Sequence, residues 1–277
     1  MQEIISIKNA KVKYLFQLIH KSVLRKKQNE FVIEGVREVE MALKNTYKIK
    51  SLLIFDKIFP VKKAIDLRKA YKSNFEIISV SKEVFEKLAY RKSTGGVLAL
   101  SQSKEHLLNN LKISDKSSIF IAEKIEKPGN LGAMLRTTDG AGLDAFILVN
   151  SKIDLYNPNV IRSSLGTVFS NKIAITTLKE LELFLQKNNI QLFLATLQNS
   201  NPYYNENFTT STAIAVGAED KGLTNSFRKI PHKAVYIPMK GQADSLNVSV
   251  SAAILSYEIL RQRNFKKYEK NNETYQN

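Results

Sequence analysis

The sequence predicts two α/β domains in series, the second built on a mostly parallel sheet. Three observations carry this. Near-continuous apolar runs alternate with segments of helical periodicity, the pattern of a sheet covered on both faces. A weakly patterned stretch, SKEHLLNNLKISDKS at 103–117, divides the alternation in two. A length of 277 residues suits two ordinary domains.

In the first part, residues 8–28 read as one basic helix, with Val12, Leu15, Phe16, Leu18, Ile19, Val23 and Leu24 at near-helical spacing. FVIEG (31–35) predicts a short strand and VREVEMALKN a helix. KSLLIF (50–55) predicts a buried strand, after which Pro60 opens the helix VKKAIDLRKAYK. FEIISV (75–80) is a strand, Ser81 caps KEVFEKLAY, and GGVLALSQ (95–102) closes the unit as a strand. The second part reads as strands at 118–125, 145–150, 172–177, 191–196, 212–219 and 234–239. Helices fall between them at 131–142, 158–168 and 178–189, with a short one near 223–229 and a long one at 248–263. We therefore expect domains at 1–105 and 118–265, a linker at 106–117 and a polar tail at 266–277.

Composition narrows the function. An apolar fraction of 43% marks a globular protein with a core. No run of about eighteen apolar residues predicts a membrane span, and the N-terminus lacks the layout of a secretory signal. Cysteine is absent, which excludes disulfides and thiolate metal sites and fits a reducing, cytoplasmic setting. His20, His106 and His232 lie far apart and outside metal-ligand spacing, so no metal is expected. The net charge is +16 with a pI near 9.7, which favours a polyanionic partner, nucleic acid first. Residues 1–105 hold 22 Lys and Arg against 11 Asp and Glu, so that part is expected to meet the polyanion.

Ligands of open parallel sheets sit beyond the carboxyl ends of the strands, and three such ends carry unusual loops. In EKIEKPGNLGAMLRTTDGAGL (123–143), Asn130 reads as an N-cap and Arg136 lies nearly two turns into the helix, on a face with Gly132 and Ala133. Alone, these read as a cap and a surface ion pair; together they also suit an anion. In VGAEDKGLT (216–224), Gly217 ends a strand and Glu219 and Gly222 follow. In IPMKGQADSLNVSVSAAILSYEILRQR (237–263), Ser245, Asn247 and Ser249 are more polar groups than one helix cap requires. No G-x-G-x-x-G and no P-loop lysine motif follows a strand, which argues against a nucleotide-dependent dehydrogenase or NTPase.

In this order, the three loops resemble the SpoU/TrmH family of RNA ribose 2'-O-methyltransferases. Asn130, Gly132 and Arg136 match its N-x-G-x-x-x-R motif; Gly217, Glu219, Gly222 and Leu223 match G-x-E-x-x-G-L. Ile237, Pro238, Met239, Ser245, Leu246, Asn247, Val248, Ser249 and Val250 match its third pattern, with Ser251 where many members carry alanine. The resemblance covers residues 118–263, and NEFVIEGVREVEMAL (29–43) is similar to the signature of a small ribosomal-protein-like, RNA-binding domain found in many relatives.

The resemblance implies a SPOUT α/β fold with a deep trefoil knot, a homodimer, and S-adenosyl-L-methionine bound at Thr196, Gly217, Ile237, Met239, Leu246 and Asn247. It gives catalytic roles to Asn130, Arg136, Glu219, Ser245 and Asn247. A guanidinium is a poor base, so Arg136 is expected to grip the target's phosphate and orient its hydroxyl. Asn130 and Glu219 would hold Arg136 or the ribose, while Ser245 and Asn247 shape the pocket. The N-terminal domain favours large-subunit ribosomal RNA over transfer RNA as substrate. The alternatives are a tRNA ribose methyltransferase and a non-catalytic RNA-binding assembly factor on the same fold.

Overall fold

The computed structural model describes residues 2–89 and 95–263. The expected polar tail at 266–277 lies outside them. By packing, the chain forms two units: Met1–His106 with Lys127–Arg136 and Ile153–Asn171, and Leu107–Glu126 with Thr137–Lys152 and Lys172–Asn277.

The first unit begins with β1 (Gln2–Ile4), α1 (Ala10–His20), α2 (Ser22–Gln28) and β2 (Glu30–Glu34). It continues through α3 (Val36–Lys44), β3 (Ile49–Ile54), α4 (Val61–Ala70), β4 (Glu76–Val80), α5 (Lys82–Leu88) and β5 (Val97–Gln102). Its mixed sheet runs β1-β4-β3-β5-β2, with β5 antiparallel to both neighbours. One face buries Val32, Leu53, Ile78 and Leu98 against Val12, Leu15 and Leu18 of α1 and Val84 and Phe85 of α5.

The single helix expected over 8–28 is two. Lys21 is extended, at φ −116° and ψ 104°, and ends α1. The Arg25 side chain folds back and donates to the carbonyls of Leu18 and Ile19, supplying partners to a helix end that would otherwise lack them. β1, only three residues long, gave no readable alternation and is held by parallel pairing to β4.

The second unit contains β6 (Ser118–Glu123), after which α6 (Pro128–Gly140) starts in the first unit and ends in the second. β7 (Ala145–Val149) returns the chain to the sheet, and α7 (Pro158–Ser163) belongs to the first unit. There follow β8 (Ile173–Thr176), α8 (Leu178–Lys187), β9 (Gln191–Ala195), β10 (Asn201–Pro202), β11 (Thr212–Val216), β12 (Lys233–Tyr236) and α9 (Val248–Gln262). The sheet order is β10-β12-β9-β11-β6-β7-β8, and the pairs are parallel. β6, β7 and β11 are buried along their whole length, which is why they read as unbroken apolar runs. Ile119, Ile121, Ile147, Leu192 and Leu194 fill one core with Leu181 and Leu185 of α8.

Several boundaries moved for local reasons. α7 stops at Ser163, short of the expected 168, because Leu165 and Gly166 adopt φ +53° and +82°. The last strand ends at Tyr236, before Pro238, which has no N–H to pair. The short helix expected near 223–229 is a 3-10 turn at Phe227–Lys229, and the 106–117 linker holds another at Leu108–Asn110.

Candidate functional site

The carboxyl ends of β9 and β12 open onto a cavity of about 130 Å3. Its apolar wall comes from Val235, Ile237, Met239, Leu246 and Leu255, and Thr196, Asp244, Ser245 and Ser251 add polar groups. Five of the residues expected to touch a cofactor or act in catalysis therefore meet here: Thr196, Ile237, Met239, Ser245 and Leu246. An apolar wall with a few hydroxyls suits a flat heteroaromatic ring with a polar appendage. The Asp244 carboxylate adds a negative charge on the side where a cationic ligand would be favoured.

Asn247 sits at the start of α9 and does two jobs. Its Oδ1 accepts from the backbone N–H of Ser249 at 2.9 Å, so Asn247, not Ser245, is the N-cap. The same oxygen accepts from the Ser249 hydroxyl at 2.6 Å. Its Nδ2 donates to Oε1 of Glu219 at 2.9 Å, tying the second sequence loop to the third. The excess of polar groups at this helix start is thus explained: one caps, one supports the cap, and Ser245 lines the cavity.

Gly217 is buried, and the structure shows why no side chain fits. A Cβ there would lie 2.0 Å from the backbone carbon of Gly222 and 2.2 Å from the Leu223 nitrogen. Gly222 makes the return at φ +61°, and its N–H donates to the Ala218 carbonyl at 2.8 Å. The turn is anchored by a residue that motif spacing did not single out. Glu123, fully buried at the end of β6, accepts from the Thr224 N–H at 2.8 Å and the Thr224 hydroxyl at 2.7 Å. A carboxylate inside an apolar strand run was the signal, because such a group is rarely buried without dedicated partners. Arg228 is a second such residue: its Nη1 donates to the Thr196 hydroxyl at 2.8 Å, at the cavity wall.

Asn130 and Arg136 lie on the part of α6 that packs with the first unit. Asn130 is not the helix cap. α6 starts two residues earlier at Pro128, and the Leu131 N–H already donates to the Lys127 carbonyl. Proline at a first helical position costs nothing, since its missing N–H would have no intrahelical partner. Arg136 is exposed. The space beside Gly132 is taken: a Cβ there would come 1.9 Å from the Ser163 hydroxyl and 2.8 Å from the Ser164 nitrogen. The glycine therefore lets α7 approach α6.

Among the described residues, no helix is long and apolar enough to cross a membrane, and no group of three or more His, Asp or Glu is placed to hold a metal.

Comparison with known proteins agrees with this geometry. The model of the SpoU rRNA Methylase family matches residues 117–257, and that of the MRM3-like substrate binding domain matches residues 9–99. The chain is 31% identical to the 23S rRNA (guanosine(2553)-2'-O)-methyltransferase RlmP of Bacillus subtilis, over 94% of this chain and 99% of that protein. It is 24% identical to the 23S rRNA (uridine(2479)-2'-O)-methyltransferase of Streptomyces viridochromogenes, over 94% of this chain and 92% of that one. A crystal structure of an RNA 2'-O ribose methyltransferase superposes with a TM-score of 0.80 at 37% identity, covering 95% of this chain and 99% of that one. The Streptomyces viridochromogenes SpoU methyltransferase AviRb in complex with AdoMet superposes with a TM-score of 0.84 at 25% identity, covering 92% and 98%. With three motifs in order, a parallel sheet of matching topology and family matches across both parts, the chain belongs to the SpoU rRNA methylase family.

Proposed function

We propose that this protein methylates the ribose 2'-hydroxyl of a nucleotide in large-subunit ribosomal RNA, using S-adenosyl-L-methionine. The observation that carries the reading is the cavity at the ends of β9 and β12, lined by Thr196 and by Ile237, Met239, Ser245 and Leu246 of the third motif. Two relatives named for different nucleosides, a guanosine and a uridine, are both named for the 2'-oxygen of 23S rRNA, which supports a ribose-directed reaction.

The residues present fit the cofactor. Apolar side chains of Ile237, Met239 and Leu246 can sandwich an adenine ring, and the Thr196 and Ser245 hydroxyls can meet its polar substituents. When bound, the cofactor supplies an electrophilic methyl on a sulfonium. What the chain must do is hold a weakly nucleophilic hydroxyl in line and help its proton leave. Arg136 grips the phosphate of the target nucleotide and so aims the hydroxyl, with Asn130 on the same helix as its neighbour in that task. Glu219 is held by Asn247 and orients the ribose. Gly217 keeps the adjoining turn close enough for this pairing.

The reading includes a substrate-binding domain over 1–105, a linker at 106–117 and a methyltransferase domain over 118–265, in line with the two family matches. It includes the trefoil knot and the homodimer that the family resemblance implies, with the exposed Val250 and Tyr257 of α9 as apolar contacts for a second copy. It also includes action in the cytoplasm, where ribosomal RNA is found.

The test is methylation of purified 23S rRNA and tRNA with labelled S-adenosyl-L-methionine, followed by nucleoside mass spectrometry. We expect 2'-O-methylnucleoside from 23S rRNA. A base-methylated product, methylation of tRNA alone, or no transfer to either would overturn the reading. Arg136→Ala should abolish transfer while cofactor binding by titration stays nearly intact; an equal loss of cofactor affinity would remove Arg136 from the RNA-gripping role.

A further inference from the structure

We propose that Arg25 is a positioning residue for the methyl transfer: by holding Asp154 it fixes the 153–171 segment against which the Arg136-bearing part of α6 is seated. The inference rests on the role given to Arg136 above, and one arm of its test does not.

Arg25 is on the short basic helix α2, far in sequence from any methyltransferase motif, yet its side chain is only 4% exposed. Its Nε donates to Oδ2 of Asp154 at 2.6 Å, and its Nη1 donates to the carbonyls of Leu18 and Ile19. The second oxygen of Asp154 accepts from the Tyr156 N–H at 3.0 Å. A buried ion pair is a weak source of net stability, because desolvation offsets much of the attraction, but it strongly penalises arrangements that separate the partners. Such a pair is suited to selecting one placement of a segment.

Three more contacts join the same segment to the N-terminal sheet, its last strand's exit and α3. The Tyr156 ring stacks on Phe31 of β2 with centroids 4.1 Å apart, and its hydroxyl accepts from the Lys104 N–H at 3.0 Å. Gly166, at φ +82°, lies so near α3 that a Cβ would be 3.2 Å from Met41 Cβ and 3.3 Å from Glu38 Cα. On its other side the segment meets α6. The Ser163 hydroxyl occupies the space left by Gly132, and Asn171 Nδ2 donates to the Leu135 carbonyl at 3.0 Å. Leu135 immediately precedes Arg136. The 153–171 segment thus has one contact with Arg25, at Asp154, and another with the backbone beside Arg136, at Asn171.

The consequence is that residues counted within the RNA-binding part also set the geometry of a motif in the methyltransferase part. Small misplacements of a positioning group lower turnover without weakening binding.

The experiment uses full-length Arg25→Met, Asp154→Asn and the double variant, with Leu67→Ala on α4 as a buried control outside these contacts. Hydrogen exchange of the amides at 129–136 is the first readout. Single-turnover methylation of 23S rRNA at saturating cofactor, with both dissociation constants, is the second. In Arg25→Met we expect faster exchange at 129–136 and a loss of roughly tenfold or more in rate, with both affinities within about twofold of the parent. The double variant should be no worse than either single, since one interaction is removed. Leu67→Ala should leave exchange at 129–136 and the rate unchanged even where its melting temperature falls as far. Unchanged exchange at 129–136 in Arg25→Met, or an equal rise in Leu67→Ala, would overturn the positioning role whatever Arg136 does. Full activity of Arg136→Ala would instead overturn the reading of Arg136 and leave the exchange result to decide the packing. Should Arg25→Met fail to fold, Arg25→Lys keeps a donor for Asp154 but loses the fork to Leu18 and Ile19, and it is judged on the same exchange.

Discussion

Asn247 makes two unlike contacts with one side chain, and the two can be separated by substitution. Its Oδ1 caps α9 while its Nδ2 holds Glu219. Serine can replace the cap but cannot reach Glu219, so Asn247→Ser should unfold within about 0.5 kcal/mol of the parent, whereas Asn247→Ala should lose about 1 kcal/mol. Both should lose methyl transfer alike if the grip on Glu219 is what turnover needs. Comparing urea midpoints with transfer rates decides this; full activity of Asn247→Ser would show that the Glu219 contact is dispensable. The glycines of the second loop separate in the same way. Gly217→Ala drives a methyl into the Gly222 backbone and should destabilise by about 2–3 kcal/mol. Gly222→Ala meets open space and carries only the strain of a positive φ, about 1 kcal/mol. Equal urea midpoints for the two variants would contradict the close approach seen at Gly217.

At the scale of elements, α9 is fixed at its far end as firmly as at its start. Arg263 donates to the carbonyls of Lys116, Ser117, Phe208 and Thr210, and the buried Glu258 accepts from Arg261 and Gln262. The Arg261 hydrogen bond, more than any other contact, holds the Glu258 carboxyl below its ordinary value of 4.5. A depressed carboxyl stabilises the fold above its unfolded-state value, and that stability is lost as pH falls through the lower folded value. The gap in melting temperature between parent and Glu258→Gln should therefore be largest near pH 7 and shrink as pH falls below 4.5 through the lower folded value. A gap independent of pH would mean that packing, not charge, is what the substitution removes. The elements also show how far the sequence could be read. Strands buried on both faces, such as β6, β7 and β11, announce themselves by unbroken apolar runs, and the capped helix α5 by Ser81. The break at Lys21 was not legible, because its cause is Arg25 reaching back to the Leu18 and Ile19 carbonyls, and periodicity carries no trace of that contact. Glu123, by contrast, was visible as a lone acid in an apolar strand, but its partner Thr224 is 101 residues away.

For the whole molecule, the chief departure from a linear reading is that packing units do not follow sequence order. The motif residues were legible because each motif is local, and their family fixes their order. That 127–136 and 153–171 pack with the N-terminal sheet was not, since it depends on contacts such as Asp154 with Arg25 and Tyr156 with Phe31. The cavity at the ends of β9 and β12 is lined entirely by residues between Ala195 and Leu255, so a fragment starting at Leu107 keeps every one of its lining residues. The same fragment keeps α6 but strips α7 and its flanks of Arg25, Phe31 and Tyr47, and uncovers part of Val160, Ile161 and Phe169, all buried in the intact chain. Fully exposing such side chains costs about 1.5–3 kcal/mol each, enough to release the segment. The fragment should therefore bind S-adenosyl-L-methionine by calorimetry while its amides at 153–171 exchange freely and methyl transfer to 23S rRNA is lost. Adding the separate 1–106 piece would restore little, since the two must rejoin through a buried ion pair without the effective concentration that the linker provides. Native-like protection of 153–171 in the isolated fragment would show that this segment does not depend on the N-terminal sheet.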